Sequence, residues 1–148
     1  MSRIISFTGP NFFLSNFYPC EVAFEGKVYK SSEHAYMASK SEDLNVREYI
    51  AAQPTPGHAK KVGRTIKLRD NWDEVRVHYM RTILSNKFSD QELYEKLQST
   101  APHELIEGNT WGDTFWGQCP VGTGKNMLGK LLMSIRDDVF TKFGVAND

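Results

Sequence analysis

The sequence predicts a helix-rich α+β fold: one domain in which a few short strands, an N-terminal strand and a hairpin, pack on about five to six helices. Three observations carry this. The chain has 148 residues, 40% hydrophobic and 24% charged, which suits a single globular domain and argues against disorder. Strand signals are brief and gather near the N-terminus. From Ser31 onward, apolar residues recur at helical spacing behind capping residues.

Taken in order, Ile4, Ile5 and Phe7 form an apolar run closed by Thr8-Gly9-Pro10-Asn11, which predicts a strand and its turn. Phe12 to Pro19 reads as a Pro-bounded loop holding four aromatic residues. Such a loop either plugs the core or walls a pocket for a ring-shaped ligand. Val22 and Phe24, then Val28 and Tyr29, flank Glu25-Gly26-Lys27 and predict a hairpin. Ser31-Ser32 offers an N-cap to a helix running through about Lys40, on which Glu33, Tyr36, Met37 and Lys40 share one face. A second helix covers Leu44 to Ala52, and a third begins with Pro56 at its first position and ends near Gly63-Arg64. Asn71 and Glu74 resemble a capping box before the longest helix, Trp72 to Phe88, with Met80, Ile83, Leu84 and Phe88 as its core stripe. Ser89-Asp90 caps a helix that turns Leu93 and Leu97 inward. Glu104 to Glu107 suggests a strand, Gly-rich loops follow, and a last helix spans Asn126 to Phe140 with Leu128, Leu131, Leu132 and Ile135 inward.

Composition also limits function. Eighteen Lys+Arg balance eighteen Asp+Glu, so no net field grips nucleic acid and any such contact must be local. No apolar run approaches a membrane span, and the N-terminus lacks the apolar core of a signal peptide. Cys20 and Cys119 are too few for a four-Cys zinc site and read as a reduced pair. The expectation is a soluble, cytoplasmic protein. Four scattered His show no metal spacing, so neither metal nor cofactor is expected.

Three segments offer chemistry. Gly122-Thr123-Gly124-Lys125-Asn126 fails the P-loop pattern at Cys119 and Asn126, yet a Gly-rich turn into a helix start can present N–H groups to an anion. Asn109 to Gly117 sets Asp113 among two Trp and two Gly; the Asp is either a base, a charge for a developing cation, or a local cap. On the helix after Ser31, Glu33 and Lys40 stand two turns apart; the plain alternative is that Glu33 complements the helix dipole while Lys40 is solvated.

Phe13-Leu14-Ser15-Asn16-Phe17-Tyr18-Pro19, Ser32-Glu33-His34, Gly63-Arg64, the Trp72-to-Met80 segment, Lys87-Phe88, Asp113-x-x-Trp116-Gly117 and Gly124-Lys125-Asn126-x-Leu128-Gly129 occur in one order. Together they resemble the NADAR family of YbiA-like N-glycosidases across nearly the whole chain. The resemblance implies hydrolysis of an N-glycosidic bond to a ribose bearing a 5′-phosphate or an ADP group. Two substrate classes follow from it: ADP-ribose on the amino group of guanine in DNA or RNA, or a small phosphoribosylamino intermediate of riboflavin synthesis. Trp111-Gly112, just before Asp113, is an extra aromatic where relatives are often more polar.

Within that frame the residues acquire roles. A carboxylate near C1′ must answer the positive charge on the sugar; Glu33 is the first choice and Asp113 the second. A ribose joined through an exocyclic amine can open its ring, and a lysine, Lys40 or alternatively Lys67, can capture C1 as a Schiff base. Arg64, Lys67, Lys125 and Asn126 are candidates for phosphate contacts. Trp72, Trp116 and Phe13 are candidates for stacking, with Asn16 and Gly117 completing the binding set. A non-catalytic nucleotide binder is the competing class; it would need the aromatics and the anion loop but not the carboxylates. Nothing points to an obligate protein partner or a membrane.

Overall fold

The computed structural model describes residues 2–119 and 122–138. Its elements are β1 (Arg3–Ile4), a 3-10 helix (Gly9–Leu14), β2 (Val22–Phe24), β3 (Lys27–Tyr29), α1 (Ser32–Ser39), α2 (Leu44–Ala51), α3 (Pro56–Gly63), α4 (Trp72–Lys87), α5 (Gln91–Gln98), β4 (Glu104–Leu105) and α6 (Met127–Asp137). This is the helix-rich α+β architecture the sequence predicts. The elements gather into two compact units: Asn16–Lys87 forms one, and the segments before and after it form the other.

In the Asn16–Lys87 unit, β2 and β3 pair antiparallel with Val22 opposite Tyr29, Ala23 opposite Val28 and Phe24 opposite Lys27. Only Glu25 and Gly26 are left to turn the chain, and both take positive φ, 46° and 85°. Two successive left-handed residues match the twist of the flanking strands. Three helices open on a side chain that accepts an orphan N–H: Ser31 for His34, Asp43 for Asn45 and Thr55 for His58. Helix α1 packs against α2, α3, α4 and β2, and all eight of its residues are buried. The interior position explains its sequence, which has no polar stripe for solvent. Helix α4 contributes Met80, Ile83 and Leu84 to the core. Its start differs from the expected capping box. Asn71 has φ +59° rather than the extended backbone of an N-cap, and it is the Asn71 carbonyl that accepts the N–H of Glu74 at 2.9 Å and of Val75 at 3.2 Å.

The other unit is built on a long-range pairing. β1 runs parallel to β4, Arg3 beside Glu104 and Ile4 beside Leu105. The predicted strand is shorter than its apolar run, and Ile5 is exposed. The first part of the aromatic loop winds into the 3-10 helix, started by Pro10, and buries Phe13 and Leu14. Asp90 caps α5 by accepting the Leu93 N–H. Helix α6 packs against β4 and α5, burying Leu128, Leu131, Leu132 and Ile135 as expected. Its predicted end at Phe140 lies outside the described residues; α6 itself ends at Asp137.

Two glycines test this packing. A Cβ at Gly129 would overlap the Leu105 carbonyl oxygen, which belongs to backbone, whereas a Cβ at Gly57 would find its nearest neighbour, Thr55 Oγ1, at 3.8 Å. Gly129→Ala should therefore cost about 1–3 kcal/mol through overpacking. Gly57→Ala should be neutral or stabilise by up to about 1 kcal/mol. Urea midpoints at unchanged m-value check both.

Candidate active site

The candidate residues Glu33 and Lys40 stand on and at the end of α1, whose first turn is fixed from several sides. The Asn16 carbonyl accepts the Glu33 N–H at 3.0 Å. The Asn16 side-chain oxygen accepts the Ser32 hydroxyl at 2.9 Å, and its amide nitrogen meets Met80 Sδ at 3.7 Å. Ser31 Oγ accepts the His34 N–H at 3.1 Å and lies 2.7 Å from His34 Nδ1. On the far side of the imidazole, Nε2 lies 3.0 Å from the Gln53 carbonyl. A carbonyl can only accept, so Nε2 carries the proton, and Nδ1 then accepts the Ser31 hydroxyl. Burial holds the His34 pKa below its ordinary value, overcoming the upward pull of the Gln53 carbonyl. Asn16, expected to touch substrate, is itself buried; its polar atoms hold the helix.

Glu33 follows in this turn with only 7% of its surface exposed. Of the plain alternative, the dipole part still fits, since Glu33 stands in the first turn of α1; the solvated lysine does not, because Lys40 is half-buried. Lys40 caps the other end of α1. It is half-buried, and Nζ reaches the Gly63 carbonyl at 3.4 Å. Burial pushes its pKa below the usual lysine value; Glu33 pulls it partway back, while Arg64 and Lys60 depress it further. Glu33, Lys40 and Arg64 therefore share one electrostatic neighbourhood, with Lys60 as a fourth member.

The other predicted residues of this unit fall elsewhere. Lys67 is exposed and lines a hollow of about 300 Å³ with Ser41, Glu42, Asp43, Ile66 and Arg69. Neither Glu33 nor Lys40 walls that hollow. Trp72 is 7% exposed and sits against Tyr36, ring centroids 5.4 Å apart. Tyr36 lies three residues from Glu33 on α1, so Trp72 supports the same helix through Tyr36.

In the other unit, Asp113 builds a turn. Its Oδ1 accepts the N–H of Phe115 at 3.2 Å and of Trp116 at 2.9 Å. Its own N–H donates to Asn109 Oδ1 at 3.1 Å, and Asn109 Nδ2 returns a bond to the Asp113 carbonyl at 2.9 Å. Of the readings left open for Asp113, the local cap accounts for these contacts. The anion loop requires correction. The N–H groups of Lys125, Asn126, Met127 and Leu128 donate to the carbonyls of Thr114, Gly117, Phe115 and Trp116 at 2.8–3.2 Å. The start of α6 is thus closed by backbone rather than open to phosphate. Asn126, 3% exposed, also ties Glu107 N–H and the Leu105 carbonyl together through its side chain at 2.9 Å each. A Cβ at Gly117 would overlap Glu107 and Asn109 atoms, so its missing side chain serves packing. Lys125 keeps an exposed side chain. Trp116 is half-buried and stands edge-on to Phe115, centroids 4.8 Å apart. Phe13 is 7% exposed, the plug rather than the wall.

Two cations, Lys87 buried and Arg69 half-buried, went unassigned in the sequence. Lys87 is fully buried, its ammonium 5.7 Å from the Tyr18 ring and its pKa pushed down to about 8 by burial. Helical spacing could have found it, since Lys87 stands four residues after Ile83 and three after Leu84 on the core stripe. Arg69 donates its backbone N–H to the Lys40 carbonyl at 2.8 Å, lies 3.5 Å from Glu42 and covers the Tyr79 ring at 4.9 Å. No sequence signal marks that tertiary latch. Neither cysteine takes part in a disulfide, and both are half-buried. Among the described residues no cluster of His, Cys, Asp and Glu is placed to hold a metal, and no helix is long and apolar enough to cross a membrane.

Comparison with known proteins settles the lineage. The NADAR domain profile matches residues 6–140. The chain belongs to the NADAR domain family. It is 39% identical over 128 residues to N-glycosidase YbiA of Escherichia coli (strain K12), covering 84% of this chain and 79% of that protein. It is 36% identical over 131 residues to N-glycosidase Npun_R5314 of Nostoc punctiforme, covering 84% and 83%. A riboflavin biosynthesis protein of Vibrio vulnificus, VVA0006, is 35% identical over 130 residues; this NADAR domain spans only 35% of its length. The NMR structure of E. coli YbiA matches with a TM-score of 0.85 at 34% identity, covering 99% of this chain and 88% of that one. The chain thus stands among enzymes, hydrolases that act on N-glycosyl compounds.

The His34 relay sets a pH dependence. A histidine whose folded pKa lies below its unfolded value binds fewer protons when folded, so stability falls as pH drops below about 6.5. The His34 ring resonance should titrate by NMR with a midpoint under 6.5. A midpoint above it would mean that the relay favours the charged ring.

Proposed function

We propose that this NADAR domain hydrolyses the bond between C1′ of an ADP-ribose and the amino group of guanine in nucleic acid. The observation that carries the reading is the coupling of buried Glu33 to Lys40, whose pKa is lowered. A depressed pKa leaves more of the lysine as free amine, the form that attacks carbon. An amino-linked ribose can open to expose C1′ as an electrophile. Lys40 Nζ then adds to C1′, the bond from C1′ to the base amine breaks, and an imine forms between Lys40 and the sugar. The proton lost by the attacking nitrogen passes through Glu33 to the departing amine, which leaves as unmodified guanine. Water adds to the imine, and collapse releases Lys40 and a sugar that closes again to the hemiacetal. Arg64 and Lys60, near enough to depress Lys40, supply positive charge for the pyrophosphate. Two cysteines outside any disulfide fit a reducing, cytoplasmic setting.

A second reading rests on other observations. The chain carries no net charge, and relatives include proteins named for riboflavin biosynthesis. A small phosphoribosylamino compound would present the same C1′–N bond and a single phosphate. Incubation with guanine-ADP-ribosylated oligonucleotide and, separately, with a phosphoribosylamino-pyrimidine separates the two, read by mass spectrometry of free ADP-ribose against ribose 5-phosphate.

The mechanism is tested at both groups. Glu33→Gln should lower turnover at least about 100-fold with folding intact. Losing that negative charge also removes what holds the Lys40 pKa up, so the rising limb of residual activity should move to lower pH. Borohydride added during turnover should leave a reduced sugar adduct on the peptide carrying Lys40. An active Lys40→Ala variant with no adduct anywhere would instead leave attack by a Glu33-activated water.

A further inference from the structure

We propose that the outer face of α3 and the turn after it form a phosphate track for a single strand of nucleic acid, beginning beside Lys40. This rests on the ADP-ribosyl-guanine reading and deepens it by naming the surface that holds the rest of the strand. Residues 49–69 carry Lys60, Lys61, Arg64, Lys67 and Arg69 and no Asp or Glu. In a chain whose eighteen basic and eighteen acidic residues cancel, that stretch concentrates one sign of charge. Ala59 and Gly63 are the buried residues of α3, and Gly63 lies against Met37 of α1. Lys61, Arg64 and Lys67 are exposed and Lys60 is half-buried. Arg69 is held by Glu42 and Tyr79. Lys60, Lys61, Arg64 and Lys67 form no ion pair among the described residues. The stretch meets the reactive lysine directly: Lys40 Nζ lies 3.4 Å from the Gly63 carbonyl, and Arg64 is the next residue.

The helix dipole explains part of this pattern. Cations suit a last turn, and Lys60 and Lys61 stand in that of α3. The dipole does not explain Lys67, which lies beyond the helix. Nor does it explain Arg64 at four residues from Lys60 and three from Lys61, spacings at which like charges repel. A polyanion laid along the face relieves that repulsion. The pyrophosphate of the substrate uses only part of it. A pyrophosphate diester carries one charge per phosphorus, which Arg64 and Lys60 answer. Lys61 and Lys67 are not among the charges that act on Lys40, and they are surplus to that need. Backbone phosphates flanking the modified guanine are the anions that a row of such cations fits. At the Lys67 end the row stops, where Glu42, Asp43 and Asp70 share the hollow with it.

Salt dependence of binding on the full chain tests it. An unmodified single-stranded octanucleotide is titrated by anisotropy across a range of salt, and the logarithm of the binding constant is plotted against that of the salt concentration. Each phosphate contact to a single strand contributes a slope of about −0.7, so the four unpaired cations together give about −3. Lys61→Gln and Lys67→Gln should each flatten the slope by about 0.7, and the double variant by about twice that. Both substitutions keep a polar side chain at an exposed position, and an unchanged melting temperature checks the fold. The pair Lys96→Gln and Lys130→Gln removes the same charge from exposed positions of the other unit and should leave the slope in place. Absent binding, a slope indifferent to Lys61 and Lys67, or an equal flattening by the control pair overturns the inference. So does binding of inorganic pyrophosphate that depends on Lys61 and Lys67 as strongly as the octanucleotide does, which would make the face a small-anion site. Failure of wild type to release ADP-ribose from a modified octanucleotide, with the Lys61 and Lys67 slope changes intact, would instead sink the substrate reading and keep the track.

Discussion

The arrangement depends on burying the start of α1 without leaving its backbone unpaired. A helix end presents N–H groups with no partner inside the helix, and hiding them from water costs about 1–3 kcal/mol for each one left unmade. Here the Asn16 carbonyl takes the Glu33 N–H, Ser31 Oγ takes that of His34, and the Ser31 carbonyl takes that of Ala35. With those groups satisfied, the helix can enter the interior of its unit and carry a carboxylate where water is scarce. A charge in such a place acts more strongly on its neighbours than it would at the surface, which is how Glu33 comes to influence Lys40 two turns away.

Much of this was legible because local rules govern it. Ser31 and Asp90 announced caps and Pro56 a first helical position, and the structure starts helices at each. The two-residue hairpin followed from Gly26 between apolar pairs. What local rules cannot supply is the environment of a side chain. Glu33 on an exposed helix and Glu33 on a buried one have the same neighbours in sequence; only the packing of α2, α3 and α4 around α1 distinguishes them. The same limit hid the closure of the α6 start, because the carbonyls that fill it come from the Thr114–Gly117 turn. A glycine-rich approach to a helix looks alike whether anion or backbone completes it.

The Asp113 turn shows how residues that look chemical can serve as framework. Asp113, the second choice for catalysis, and Asn126, a candidate for phosphate contact, are occupied with internal bonds, and Gly117 with close packing. Trp111, which no internal bond requires by virtue of its indole, stands outward.

The pairing of β1 with β4 has a consequence for how the chain is made. Arg3 and Ile4 leave the ribosome about a hundred residues before Glu104 and Leu105, their partners. At bacterial-scale synthesis rates that interval is on the order of 5–20 s. The Asn16–Lys87 segment emerges whole within it, so it can fold on the nascent chain while the N-terminal strand still waits with an unpaired edge. The nested topology thus assigns an order of assembly: the interior segment first, the flanking unit only when its second half arrives.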